Sequence, residues 1–154
     1  MNKKIILGLV GSGKSTLYRY LNETKQYNAV EIELPQSCIN DEQMKSTLLG
    51  LYINSPNIDV IITHPYYLSK DFYKYKDAIE LFYLDVPTDI RLQRIKERSN
   101  KINSDYKTLF PTDYILNESK YLKNFLNTCS IPVTVWHLDI EITQDSSCVV
   151  SNDN

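Results

Sequence analysis

Glycine is scarce in this chain. Four glycines stand among 154 residues, where an average chain of this length carries about 11. Three of the four, Gly8, Gly11 and Gly13, fall within six residues. A chain that uses so little glycine keeps it where backbone must turn sharply or come close to a ligand. Cysteine is also sparse. Cys38, Cys129 and Cys148 are odd in number and form no CxxC, which excludes a disulfide framework or a paired-cysteine zinc site and points to a reducing compartment. No apolar run approaches the roughly 18 residues that a membrane span takes. The start, Met1 to Lys4 followed by Ile5 to Val10, has the outline of a signal peptide. Gly8 interrupts its apolar stretch and no small-residue cleavage site follows, so the expected location is cytoplasmic. Charge of one sign is missing too. Lys and Arg number 17 against 19 Asp and Glu, a net −2, which gives no overall attraction to duplex nucleic acid or to an anionic membrane.

What is present is the length and balance of one globular domain, with 42% apolar and 23% charged residues. Apolar runs alternate with helical patterns, the signature of βαβ units and a parallel sheet. Strands are expected at Lys4–Leu7, Asn28–Glu33, Asp59–Thr63, Ile79–Leu84 and Pro132–Leu138. Helices are expected at Lys14–Leu21, with Leu17, Tyr20 and Leu21 on one face, and from an Asp41 cap to about Ile53, with Met44, Leu48, Leu49, Leu51 and Tyr52 apolar. Further helices are expected at Ser69–Tyr75, from Pro87 to about Arg98, and at Thr112–Asn127. Residues 141–154 form an acidic tail, expected to be frayed. Twelve tyrosines are present. Tyr66, Tyr67, Tyr73 and Tyr75 read as half-buried packing residues that could also line a pocket.

Residues Gly8-Leu-Val-Gly11-Ser12-Gly13-Lys14-Ser15-Thr16 fit G-x-x-x-x-G-K-[ST], and they lie between a buried strand and a helix. The amides of such a loop point inward and form a nest for phosphate oxygens. The helix that starts near Lys14 adds its positive dipole end. Lys14 is expected to reach the β- and γ-phosphates of a nucleoside triphosphate, and the Ser15 hydroxyl to ligate Mg²⁺. ATP and Mg²⁺ are therefore the expected cofactors.

Four arginines occur in the chain, and three of them, Arg91, Arg94 and Arg98, are spaced to share one face of a helix. Leu92 and Ile95 are expected to face the core. Arg91 to Lys107 holds six basic and two acidic residues. Phosphoryl transfer needs cations around the migrating group, so these arginines are expected to contact phosphate. A solvated basic face is the plainer alternative. Strand two ends Glu31-Ile32-Glu33-Leu34-Pro35. Glu33 stands at a carboxyl end, where ligands of open α/β sheets gather, and could act as a general base or hold an acceptor. An exposed strand-end carboxylate is the alternative.

Taken in order, these pieces resemble the P-loop nucleoside and nucleotide kinases, a group that includes deoxynucleoside, thymidylate, adenylate and phage polynucleotide kinases. Four segments carry the resemblance. They are Gly8 to Thr16; Glu33-Leu34-Pro35, similar to the Glu-Pro after strand two of deoxynucleoside kinases; Ile62 to Ser69, similar to the strand-three segment of thymidylate kinases; and Leu81 to Pro87 with Arg91 to Arg98, which matches the family's fourth strand and lid helix. The resemblance covers roughly residues 3 to 140. It implies a three-layer α/β fold, a five-stranded parallel sheet of order 2-3-1-4-5 with helices on both faces, in a domain spanning 1–140 with a short lid at about 91–108. It also implies that Arg94 lies against the adenine, that Arg98 reaches the phosphates, and that Asp139 and Ile140 edge the adenine. Lys14, Glu33, Arg94 and Arg98 are thus the candidate catalytic residues. Glu33, Thr63, His64, Tyr67 and Arg91 are the candidate acceptor contacts.

The sequence also departs from the family. Thr63-His64-Pro65 stands at the end of strand three, where the family usually has an acid. Thr63 could hold a metal-bound water, and His64 could contact phosphate or merely end the strand. The stretch between strands two and three has no arginine, which disfavours a nucleoside monophosphate acceptor. No second glycine pair exists, which disfavours small-metabolite kinases such as shikimate kinases. No guanine-reading Asn-Lys-x-Asp and no strand-three Asp-Glu is present, which excludes a GTPase and an oligomeric ATPase motor. The expected activity is ATP-dependent phosphoryl transfer to a nucleoside, a nucleotide or a polynucleotide 5′ end. The rival is an ATP-binding module that has lost catalysis and senses or scaffolds. Oligomeric state is left open.

Overall fold

The computed structural model describes residues 2–102, 112–138 and 150–153. The strands are β1 (Lys3–Gly8), β2 (Ala29–Ile32), β3 (Val60–Thr63), β4 (Ile79–Asp85), β5 (Val133–Leu138) and β6 (Val150–Asp153). The helices are α1 (Lys14–Glu23), α2 (Glu42–Ile53), α3 (Thr88–Ile102) and α4 (Thr112–Thr128). Short 3-10 turns form at Gln36–Cys38, Pro65–Tyr67 and Phe72–Tyr75. Ser69–Tyr75, expected as a helix, is therefore only one tight turn at its end.

One sheet runs β2-β3-β1-β4-β5-β6. Its first five strands are parallel, in the order 2-3-1-4-5. The sixth is an addition. Val150–Asp153, in the segment expected to be frayed, pairs antiparallel with β5 and covers its edge. β1 lies in the centre and is buried on both faces, which is why it reads as an unbroken apolar run. Ile5 and Leu7 pack in one cluster with Leu49 and Ile53 of α2 and Leu122 of α4. Ile6 packs in the other with Leu17 and Leu21 of α1 and Ile90 of α3. Alternation along β1 thus builds three layers.

Helix boundaries follow from local chemistry. Asp41 caps α2 by accepting from the Met44 N–H at 3.0 Å. Gly13 caps α1 in the left-handed region, at φ 92°, a conformation that side chains with a Cβ disfavour. The expected faces hold only in part. Leu49 and Ile53 of α2 are buried, but Leu51 is 62% exposed and Lys45 is buried in the place expected for an apolar residue. Tyr20 and Leu92 are exposed as well. Lys45 reaches the Tyr66 carbonyl at 3.0 Å and Glu42 at 2.8 Å, partners that make its burial tolerable.

Candidate functional site

The loop after β1 turns twice into the left-handed region, at Gly11 (φ +79°) and at Gly13. A Cβ on Gly11 would also stand 2.8 Å from the Arg91 carbonyl oxygen, so α3 packs directly on the loop. Arg94 donates to the Gly11 carbonyl at 2.9 Å, and Arg91 to the Val10 carbonyl at 3.2 Å. Lys14 donates to the Leu9 carbonyl at 3.1 Å and so folds back over the loop. Burial lowers its ammonium pKa to about 8; Glu118, Glu31 and Glu33 oppose this, and Arg98 adds to it. Ser12 Oγ is buried against the loop with no hydrogen-bond partner. An orphaned hydroxyl, two left-handed glycines and a half-buried lysine fit a polyphosphate that supplies the missing acceptors.

Ser15 Oγ donates to the Glu31 carboxylate at 3.0 Å. Burial and the neighbouring Glu33 raise the Glu31 pKa, and the Ser15 hydrogen bond opposes them. A hydroxyl beside a carboxylate is a hard-oxygen pair suited to Mg²⁺. Among the described residues no group of three or more His, Cys, Asp or Glu could hold a metal. Thr16 lies half-buried in the first turn of α1.

A cavity of about 100 Å³ opens beside the loop, lined by Val10, Gly11, Gly13, Lys14, Ser15, Glu33, His64, Tyr67, Arg98 and Tyr114. It brings Glu33, Arg98, His64 and Tyr67 together with the loop. Glu33 arrives because β2 ends at Ile32 beside β3, and Arg98 because α3 runs alongside the loop. Gly8 lies beneath Lys14: a Cβ there would meet Ser12 Oγ at 2.4 Å.

Three candidates go elsewhere. Arg94, expected against the adenine, is buried, stands outside the cavity lining and donates to the Gly11 carbonyl. Thr63 is fully buried, and its hydroxyl donates to the Ile32 carbonyl at 3.0 Å, which ties β3 to β2 and turns it away from the cavity. Arg91 was expected at the acceptor. It is 2% exposed and donates to Glu118 Oε1 at 2.5 Å. Its position in the first turn of α3, under the loop, makes it part of the interior. Asp139, Ile140 and the lid beyond residue 102 lie outside the described residues.

Sequence reasoning missed Glu118, Glu31 and Tyr114. Glu118 is fully buried, and its Oε2 accepts from His64 Nε2 at 2.6 Å and from the Val10 N–H at 3.3 Å. The signal was present: Ile115, Glu118 and Leu122 share one helical stripe, and a carboxylate inside an apolar stripe needs buried partners. Burial lowers the His64 pKa, against the pull of Glu118. Its Nδ1 accepts from the Tyr66 N–H at 3.0 Å, so the ring is neutral and carries its proton on Nε2.

No family model matches the chain. No curated protein matches it either. Solved structures do. A deoxyadenosine kinase from M. mycoides with bound dCTP superposes with a TM-score of 0.53 at 19% identity, covering 90% of this chain and 92% of that one. A shikimate kinase from Bacteroides thetaiotaomicron gives 0.61 at 10% identity, covering 88% and 85%. A gluconokinase from Sinorhizobium meliloti 1021 gives 0.58 at 12% identity, covering 91% and 84%. The chain therefore has the fold of the P-loop nucleoside and nucleotide kinase-like proteins.

Proposed function

We propose that the protein is a phosphotransferase that uses Mg-ATP at Gly8–Thr16 and phosphorylates a nucleoside, a nucleotide or a polynucleotide 5′ hydroxyl. The observation that carries this reading is the convergence of Lys14, Ser15, Glu33 and Arg98 on one cavity beside the glycine loop. Loop amides and Lys14 hold the phosphates, and Arg94 braces the loop from behind through the Gly11 carbonyl. Ser15, with Glu31 beside it, would hold Mg²⁺, which when bound offsets charge on the phosphate oxygens. Glu33 accepts the proton of the acceptor hydroxyl as its oxygen bonds to phosphorus and the bond to the leaving diphosphate breaks. Arg98 steadies the migrating phosphoryl group. Tyr67 and His64 shape the acceptor wall.

Among the described residues no helix is long and apolar enough to cross a membrane, and Cys38 and Cys129 are free thiols. Fold neighbours include both nucleoside and small-metabolite kinases, so the choice of acceptor rests on the sequence: no second glycine segment is available to cradle a small acid. The loss of a strand-three acid favours the second reading, an ATP-binding module without catalysis. Transfer from γ-labelled ATP to a panel of nucleosides, nucleotides and 5′-hydroxyl oligonucleotides separates the two. Transfer that falls about 10²- to 10³-fold in Lys14→Ala supports the kinase. Tight ATP binding with no transfer to any of them sinks it and supports the module.

A further inference from the structure

Glu118 joins three elements at one carboxylate. It accepts from the Val10 N–H of the loop (3.3 Å), from Arg91 of α3 (2.5 Å) and from His64 after β3 (2.6 Å). Stability is a poor reason for such an arrangement. Taking an ion pair out of water costs about what the pairing returns, and an apolar pair of equal volume serves the fold as well or better. What an apolar pair would not reproduce is the fixed geometry.

That geometry falls on the two walls of the cavity. The Val10 N–H is held by Glu118, and the Val10 carbonyl by Arg91 at 3.2 Å. The peptide units on both sides of Val10 are thereby pinned just before the chain turns left-handed at Gly11. On the other wall, His64 donates from Nε2 to Glu118 and accepts at Nδ1 from the Tyr66 N–H. The ring is clamped at both nitrogens, and with it the Pro65–Tyr67 turn that carries Tyr67 into the cavity. The glycine loop and the Pro65–Tyr67 turn are far apart in sequence; Glu118 bonds to Val10 in the first and to His64, which caps the second.

We infer that Glu118 is a positioning residue, which sets the distance between the phosphate loop and the acceptor wall through Val10 and His64. The inference rests on the phosphotransferase reading. The end of β3, which offers no acid of its own, receives a carboxylate from α4 that acts through His64 rather than on substrate.

The test uses the full chain, with fluorescent N-methylanthraniloyl-ADP to read binding and the acceptor found in the γ-labelled ATP panel to read turnover. Glu118→Gln keeps the shape and removes the charge. Thermal unfolding is measured first, and binding and turnover are then read well below the midpoint, per folded molecule. The expected result is about tenfold weaker nucleotide binding and a larger fall in turnover. In a second variant, Arg91→Met with Glu118→Met, both charges go and volume is kept. Stability should recover toward wild type while binding and turnover stay low; recovery of all three overturns the inference. Should Glu118→Gln not fold, this pair decides. Wild-type protein that binds no nucleotide overturns the phosphotransferase reading and this inference with it. Wild-type binding matched by equal binding and turnover in Glu118→Gln overturns this inference alone.

Discussion

One side of the cavity comes from a single short stretch of chain, through Val10, Gly11, Gly13, Lys14 and Ser15, whereas the facing side takes Glu33 from the end of β2, His64 and Tyr67 from after β3, Arg98 from α3 and Tyr114 from α4. The first side is made by local conformation: two left-handed glycines and a helix N-terminus. The second exists only when four elements have packed. A local site should tolerate loss of most distant packing, the Glu118 bond to Val10 excepted, and fail when its own residues change. A dispersed site should do the reverse. On this view nucleotide affinity reports the first side and turnover the second.

The sharpest way to separate them is Glu33→Gln. Removing a base costs about a hundredfold or more in kcat, and ADP affinity should stay within about twofold, since Glu33 lies across from the loop; calorimetry with the variant checks it. Equal losses in both would mean that Glu33 serves the loop. Arg98→Ala comes next, with turnover falling by roughly tenfold to a hundredfold and ATP affinity by less. Steady-state kinetics at several ATP concentrations distinguish these, and a loss carried wholly by affinity contradicts a role in the transition state.

The pH dependence probes the loop side. Lys14, faced by Glu118, Glu31, Glu33 and Arg98, has its pKa lowered to about 8 by burial. Phosphate binds the protonated form, so nucleotide affinity should be level below about pH 8 and fall about tenfold per pH unit above it. Titrations from pH 6.5 to 9.5 would show the break, and none would appear if Lys14 kept an ordinary pKa. Packing gives the smaller tests. Leu49→Ala in α2 should destabilise by about 2–5 kcal/mol and depress turnover more than ADP affinity. Leu51→Ala, at a site 62% exposed on the same helix, should change stability by less than about 0.5 kcal/mol. Chemical denaturation of the pair measures both.

Much of the fold was legible. The parallel strands followed from βαβ alternation, because apolar strands buried on both faces leave a clear pattern, and their order from the family resemblance alone. The faces of α2 and α3 were less so. Leu92 was expected to face the core and lies outside it, as does the apolar Leu51, while Lys45 and Arg91 lie within it. Periodicity ranks residues by polarity, and it cannot foresee that a buried cation will find a carbonyl or a carboxylate. Arg91 is the instructive case. Its spacing with Arg94 and Arg98 suggested one phosphate-facing stripe, yet α3 packs so closely on the loop at Gly11 that the first arginine lies in the interior. β6 was missed because its partner strand is the edge of a sheet assembled from the rest of the chain.

The sequence by itself determined the glycine loop. Its glycines, lysine and serine are contiguous, and backbone dihedrals and a helix start are local properties that a short peptide pattern encodes. Tertiary structure alone decided the rest of the site: that Glu118, on a distant helix, would bond to both walls; that Thr63 would spend its hydroxyl on β2; and that Ser15 would meet Glu31. Those contacts join residues tens of positions apart. Their geometry comes from how helices settle on the sheet, and that is fixed by the packing of the whole core rather than by any segment of it.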